Sequence, residues 1–69
     1  MAVKVVERDT GKTYSGKIAI IKGDSVNLWS GVMSDKKGGW RGCGKRIVFP
    51  ANEVTITTDD PAKELKRES

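Results

Sequence analysis

The chain contains no histidine and only one cysteine, Cys43. Histidine usually transfers protons near neutral pH, so its absence removes the commonest general acid or base. One cysteine can form no disulfide within the chain, and without histidine it supplies neither a zinc site nor a Cys-His nucleophile. The "GKT" at residues 11–13 lacks the earlier glycine that a phosphate-binding P-loop needs. We therefore expect a protein that is not an enzyme and that binds no metal, cofactor or small-molecule substrate.

Long apolar runs are also missing. The longest is "IAII" at residues 18–21, far short of the roughly 20 residues that span a bilayer as a helix. The N-terminal "MAVKVVER" has no long apolar core of the kind that marks a secretory signal. Sixty-nine residues fit one domain, and a secreted domain of this size would usually need disulfides. The sequence predicts a single intracellular, cytoplasmic domain that makes no membrane contact.

Positive charge is concentrated in one segment, "SDKKGGWRGCGKR" at residues 34–46. The chain carries 13 Lys and Arg against 9 Asp and Glu, for a net charge of +4. The segment holds five of the cations and one of the acids, so the rest of the chain is balanced. A local basic excess of this kind can attract phosphate groups. The alternative is a solvated connecting loop, in which lysine and glycine are common.

Alternating apolar residues bounded by turn residues predict short β-strands along most of the chain. The predicted strands are 3–8, 13–21, 25–33, 46–50 and 54–57. These are too few for a sandwich, whereas a bent meander that closes on itself buries its apolar faces and hides its edges. The sequence therefore predicts an all-β fold, a small five-stranded SH3-like barrel. Its bends are expected at Gly16 and Gly31, where a missing side chain permits them.

The C-terminal segment has a different pattern. Asp59 or Asp60 can cap a helix, and Pro61 suits the first helical position. The only apolar residues that follow are Ala62 and Leu65, a stripe too thin to hold a long helix against a core. We expect residues 1–58 to form the barrel and residues 59–69 to form a charged tail, with a short helical turn and a disordered end.

Two segments resemble the motifs of the Sm-like family of RNA-binding barrels. The first is "GKTYSGKIAIIKGDSVNL" at residues 11–28, a strand with a spaced glycine and then a turn containing Asp24 and Asn27. The second is "IVFPANEVTI" at residues 47–56, two short strands joined by a tight turn. The resemblance implies a barrel that binds RNA, with Asn27 lining a base pocket and Asp24 orienting it. From the residues alone, Asp24 can instead cap backbone amides of its own turn.

These observations predict nucleic-acid binding, with RNA or other single strands favoured over DNA duplexes. Trp40 lies among cations and can stack on an unpaired base, or it can cover an open end of the barrel. The residues expected to contact nucleic acid are Lys36, Lys37, Trp40, Arg41, Lys45, Arg46 and Asn27. Duplex DNA remains an alternative ligand, because small barrels that coat duplex DNA also have a basic hairpin and a short C-terminal helix.

A second set of residues predicts self-association. Trp29, Met33 and Ile21 are expected to form an apolar stripe larger than a monomer surface usually carries. We expect a homo-oligomer joined through edge strands, and the Sm-like resemblance implies a ring. A ring would also bring several copies of the basic segment to one face. The alternative function is a protein–protein assembly or adaptor module with no nucleic-acid ligand.

Overall fold

The computed structural model describes residues 2–34, 36 and 39–68. Over these residues the fold is all-β, as the alternation predicts, with seven strands in two sheets. The strands are β1 (Val3–Glu7), β2 (Thr13–Gly16), β3 (Ile18–Lys22), β4 (Ser25–Ser34), β5 (Trp40–Pro50), β6 (Val54–Thr57) and β7 (Leu65–Glu68). A 3₁₀ turn at Ala51–Glu53 joins β5 to β6, and a one-turn helix, α1 (Pro61–Glu64), precedes β7.

The smaller sheet has the strand order β2-β1-β6, and both of its pairings are antiparallel. Val3 and Val5 of β1 are completely buried, because alternate residues of a strand point to the same face. Val54 of β6 is also buried, and the half-buried Ile56 packs against the same core. Val54 and Ile56, two positions apart, therefore both point to the core.

The larger sheet has the strand order β5-β4-β3-β7. Its strands pair antiparallel except β7, which runs parallel to β3. The residues that it contributes to the core are Ala19, Val26, Leu28 and Phe49. Ile18 pairs with Trp29 on the opposite face, yet Ile18 is only 1% exposed. Strand β3 is therefore covered on both faces, which explains why "IAII" reads as one continuous apolar run.

The chain bends sharply between β2 and β3, at the predicted position of Gly16. A Cβ atom on Gly16 would lie 2.6 Å from the carbonyl oxygen of Trp29 and 2.7 Å from Cδ1 of Leu28. Only glycine allows this close approach of β2 to β4. The next residue, Lys17, donates its N–H to the same Trp29 carbonyl at 2.8 Å, so the bend keeps its backbone hydrogen-bonded.

A β-bulge bends the β4–β5 hairpin near Gly31, as predicted. Trp29 pairs with Arg46 and Gly31 pairs with Cys43, so β5 has one more residue than β4 between these pairs. Gly44 has a φ of 81°, the left-handed conformation that the first residue of such a bulge requires. Ser30 opposite it accepts a hydrogen bond from the Lys45 N–H at 2.8 Å, which satisfies the backbone group that the bulge frees.

Before the C-terminal tail, the strands differ from the prediction in two respects. The predicted strand 13–21 is two strands, because the chain turns at Lys17 between the two sheets. The predicted strand 46–50 is the end of an 11-residue strand that starts at Trp40, so much of the basic segment is strand rather than loop. Over the described residues, the strands form two sheets and no ladder closes them into a barrel.

The C-terminal tail is part of the larger sheet. The predicted helical turn is confirmed as α1, but the expected disordered end is wrong for Leu65–Glu68, which pair with β3 as β7. Leu65 packs against the core, which supplies the apolar contact that the sequence pattern had underestimated. Within the described chain, no helix has the length and apolar character needed to cross a membrane.

Candidate functional site

The bulge brings the outer part of the β4–β5 hairpin against the face of the larger sheet that points away from the core. We call this outer part, residues 31–34 and 40–43, the arm. Gly42 of the arm lies on the indole ring of Trp29: a Cβ atom there would fall 2.0 to 2.4 Å from three ring atoms. Glycine at this position therefore lets the arm backbone rest on the ring.

Trp29 also contacts Arg46, its cross-strand partner. The guanidinium carbon of Arg46 lies 5.5 Å from the centroid of the indole ring, within the range of a cation–π interaction. Trp29 is consequently half-buried, between its own strand, the arm and Arg46. The ring fixes the position of a cation rather than presenting an open stacking surface.

A groove of about 280 Å³ lies beside Trp29, and we call it the basic groove. Its lining combines three cations, one acid, an amide and an aromatic ring. The lining residues are Ile20, Lys22, Asn27, Trp29, Arg41, Gly42, Arg46 and Glu68. Arg41 reaches it from the arm and Arg46 from the strand below the bulge, so the bend brings together two arginines that are five positions apart.

The predicted nucleic-acid residues divide into separate groups. Asn27, Arg41 and Arg46 line the basic groove. The described turn residue Lys36 and the strand residue Lys45 are both exposed, outside the groove lining. Lys37 lies outside the described residues. The structure thus brings three of the predicted residues into one site.

Sequence reasoning missed two groove residues, Lys22 and Glu68. They are cross-strand partners in the parallel β3–β7 pair, 46 positions apart, and a parallel pairing over that distance leaves no local pattern in the sequence. Among the described residues that line the groove, Glu68 is the one acid, and the ammonium group of Lys66 lies 3.6 Å from its carboxylate. That ion pair is exposed and weakens the negative charge of Glu68 only modestly.

Asp24 and Asn27 do not share a site. Asp24 lies in the turn before β4 and lines a different cavity with Pro50, Ala51 and Asn52. Its backbone carbonyl accepts the Ala51 N–H at 2.7 Å, so the residue helps to fix the 3₁₀ turn. The pairing in which Asp24 orients Asn27, implied by the Sm-like resemblance, is not supported by this arrangement.

The three predicted interface residues are also distributed. Ile21 pairs with Val26 and packs against the core, whereas Trp29 lies on the opposite face of the sheet. Met33 lies on the arm and is 48% exposed. Since Ile21 and Trp29 are on different faces, these residues do not form one stripe. Larger apolar exposure occurs on β5, where Val48 is 53% exposed.

A second cavity, of about 240 Å³, lies on the other side of the arm. We call it the tryptophan slot. Its lining residues are Lys17, Val32, Trp40, Asp60, Lys63 and Glu64. Trp40 keeps 40% of its surface exposed, so of the two tryptophans it is the one with an available ring.

The one tyrosine lies on the smaller sheet, away from both cavities. Tyr14 donates its hydroxyl hydrogen to the Glu7 carboxylate at 2.7 Å, and its ring centroid lies 5.1 Å from that of Phe49. The hydrogen bond to Glu7 raises the pKa of Tyr14 above the usual 10.0, with a smaller effect of burial. The contact between Tyr14 and Phe49 links the smaller sheet to β5, so Tyr14 has a structural role.

Comparison with protein-family models, with curated proteins and with solved structures gave no match. The site must therefore be interpreted from its own chemistry. Within the described residues, no three His, Cys, Asp or Glu side chains are grouped as a metal site would require. The arrangement offers three cationic hydrogen-bond donors beside an amide and an aromatic ring.

Proposed function

We propose that this protein binds single-stranded nucleic acid, with RNA favoured, and that it acts without catalysing a reaction. The observation that supports the proposal is the convergence of Arg41, Arg46 and Lys22 in one groove beside Asn27. Guanidinium groups bind phosphate oxygens in a bidentate manner, which suits Arg41 and Arg46 to a phosphodiester backbone. Asn27 can donate to and accept from the edge of a base.

One of the two arginines, Arg46, is supported before any ligand binds, because its guanidinium group lies over the indole ring of Trp29. Holding a donor in advance lowers the entropy lost on binding. Arg41 lines the same groove from the arm. A groove of about 280 Å³ suits one strand better than a duplex, whose phosphates are spread over a wider surface.

We also propose that the two sheets belong to an Sm-like barrel. The sharp bend at Gly16 makes β2 and β3 one continuous meander through both sheets, so the strands follow the order β6-β1-β2 and then β3-β4-β5. In this proposal β7 is an addition at the edge of β3. The family resemblance of residues 11–28 and 47–56 supports the same interpretation.

Binding is tested by fluorescence anisotropy with labelled single-stranded RNA, single-stranded DNA and duplex DNA of equal length. We expect the tightest binding to RNA. The double variant Arg41→Ala/Arg46→Ala should lose most of this affinity. The matched control is Lys4→Ala/Lys12→Ala, which removes the same charge from exposed positions near the smaller sheet. Equal loss in the two double variants would contradict the proposed groove.

Assembly through strand edges is a second candidate, supported by the exposure of β5. This strand lies at the edge of the larger sheet, and Ile47 and Val48 are 42% and 53% exposed. An exposed apolar edge strand can pair with a strand of another chain. Light scattering should give an oligomeric mass for the parent and a monomeric mass for Val48→Lys. A monomeric parent at high micromolar concentration would exclude this candidate.

A further inference from the structure

We propose that the tryptophan slot binds an unpaired nucleobase, which stacks on Trp40, while the backbone of the same strand lies in the basic groove. This inference rests on the proposed function and adds a second subsite to it. The slot is lined mostly by apolar atoms, with Val32 and Trp40 on the arm and α1 opposite them. A flat aromatic ring exposed in an apolar cleft is the usual platform for an unstacked base.

Both walls of the slot are fixed by hydrogen bonds. On the arm side, the ammonium group of Lys66 donates to the Trp40 carbonyl at 3.1 Å, which ties the arm to β7. On the α1 side, Glu64 is only 7% exposed and accepts a hydrogen bond from the Thr58 hydroxyl at 2.6 Å. Its carboxylate also accepts the Asp60 N–H at 3.2 Å. The slot is therefore a formed cleft rather than a gap between two loose segments.

The charged residues around the slot are two lysines and two acids. Lys17 and Lys63 line it with cationic side chains that can approach the phosphates on either side of a bound base. Of the two acids, Glu64 accepts hydrogen bonds from the Thr58 hydroxyl and the Asp60 N–H through Oε1, and Asp60 lies at the start of α1. An apolar side chain of a protein partner would gain nothing from the two ammonium groups.

The slot and the basic groove adjoin along β5. Trp40 lines the slot and the next residue, Arg41, lines the groove. Glu64, the last residue of α1, lines the slot, and Glu68, the last residue of β7, lines the groove. The chain between them is extended, so the two residues are roughly 13 Å apart at 3.3 Å per residue. A strand of a few nucleotides can reach both.

The test compares two ligands of equal charge: a ten-nucleotide single-stranded RNA of mixed sequence and an abasic sugar-phosphate decamer. Trp40→Leu keeps an apolar side chain but removes the stacking surface. It should weaken RNA binding by about 5- to 150-fold, as expected for one stacked base, and leave binding of the abasic decamer unchanged. Trp40→Phe should recover most of the RNA affinity, because phenylalanine still stacks.

A second variant keeps the tryptophan and fills the slot. Val32→Phe should reduce RNA affinity toward that of the abasic decamer, again without changing decamer binding. If Trp40→Leu and Val32→Phe leave RNA affinity unchanged while Arg41→Ala/Arg46→Ala removes it, the proposed base-binding role of the slot is wrong. The proposed phosphate-binding role of the groove is then still supported. If both ligands weaken equally in the slot variants, Trp40 only shapes the arm and the inference is overturned. If the parent binds neither ligand at low salt, the proposed function fails together with the slot.

Discussion

Gly42 illustrates how a single missing side chain sets the geometry of the groove. Gly42→Ala would place a methyl group 2.0 to 2.4 Å from ring atoms of Trp29, so either the ring or the arm must move. We expect a loss of about 1–3 kcal/mol in the free energy of unfolding, as for other overpacked sites, measured by urea denaturation. In a Trp29→Val background the same substitution should cost close to nothing. An equal cost in both backgrounds would show that the ring is not the cause.

Tyr14 gives a prediction for the pH dependence of stability. Its folded-state pKa lies above the unfolded value of 10.0 because its hydroxyl donates to Glu7. The stabilisation from this hydrogen bond is therefore complete below about pH 10 and is lost as the pH rises through the folded-state pKa. The difference in unfolding free energy between the parent and Tyr14→Phe should shrink between pH 9 and pH 12. A difference that stays constant over that range would contradict the assignment.

At the scale of elements, β7 is the least expected part of the fold. It contributes the packing of Leu65 against the core and covers the edge of β3. A chain ending at Glu64 should lose about 1–3 kcal/mol of unfolding free energy, because a partly buried leucine and a strand pairing are removed. Lys63→Ala, at an exposed position of α1, is the control and should change little. A truncated chain as stable as the parent would mean that β7 adds nothing to the fold.

The elements that local alternation describes could be predicted from the sequence, and those that depend on distant pairing could not. Val3 and Val5, and likewise Val26 and Leu28, mark their strands by alternation alone. The stretch from Trp40 to Lys45 contains Gly42 and Gly44, which disfavour a strand locally, yet residues 40–43 pair with the arm residues of β4. The charged β7 gives no local signal, because its strand state depends on β3.

The residues of the candidate site likewise divide into those that a local sequence pattern indicates and those that depend on distant contacts. The basic segment identified Arg41 and Arg46 by charge, and the resemblance suggested Asn27, so part of the groove was predictable. The contact between Trp29 and Gly42 depends on the bulge at Gly44 and on two segments that meet only in the folded chain. The sequence pattern assigns Trp29 to an interface between subunits, and the fold adds contacts of its ring with Gly42 and Arg46 that no local pattern indicates.

In the molecule as a whole, the proposed binding depends on where the positive charge lies. The net charge of +4 arises from the basic segment. Of its described cations, Arg41 and Arg46 line the groove, whereas Lys36 and Lys45 are exposed outside the groove lining. Cations in the groove should neutralise phosphates directly, whereas exposed cations elsewhere should contribute mainly to long-range attraction. The salt dependence of binding distinguishes these two contributions.

The most direct test is the slope of log K against log salt concentration for single-stranded RNA. Each phosphate contact adds about −0.7 to this slope for a single strand. The account predicts that Arg41→Ala/Arg46→Ala reduces the slope by about two contacts and lowers affinity strongly, while Lys4→Ala/Lys12→Ala leaves the slope nearly unchanged. Equal slopes for the parent and the arginine variant would contradict the claim that the basic groove binds the phosphate backbone.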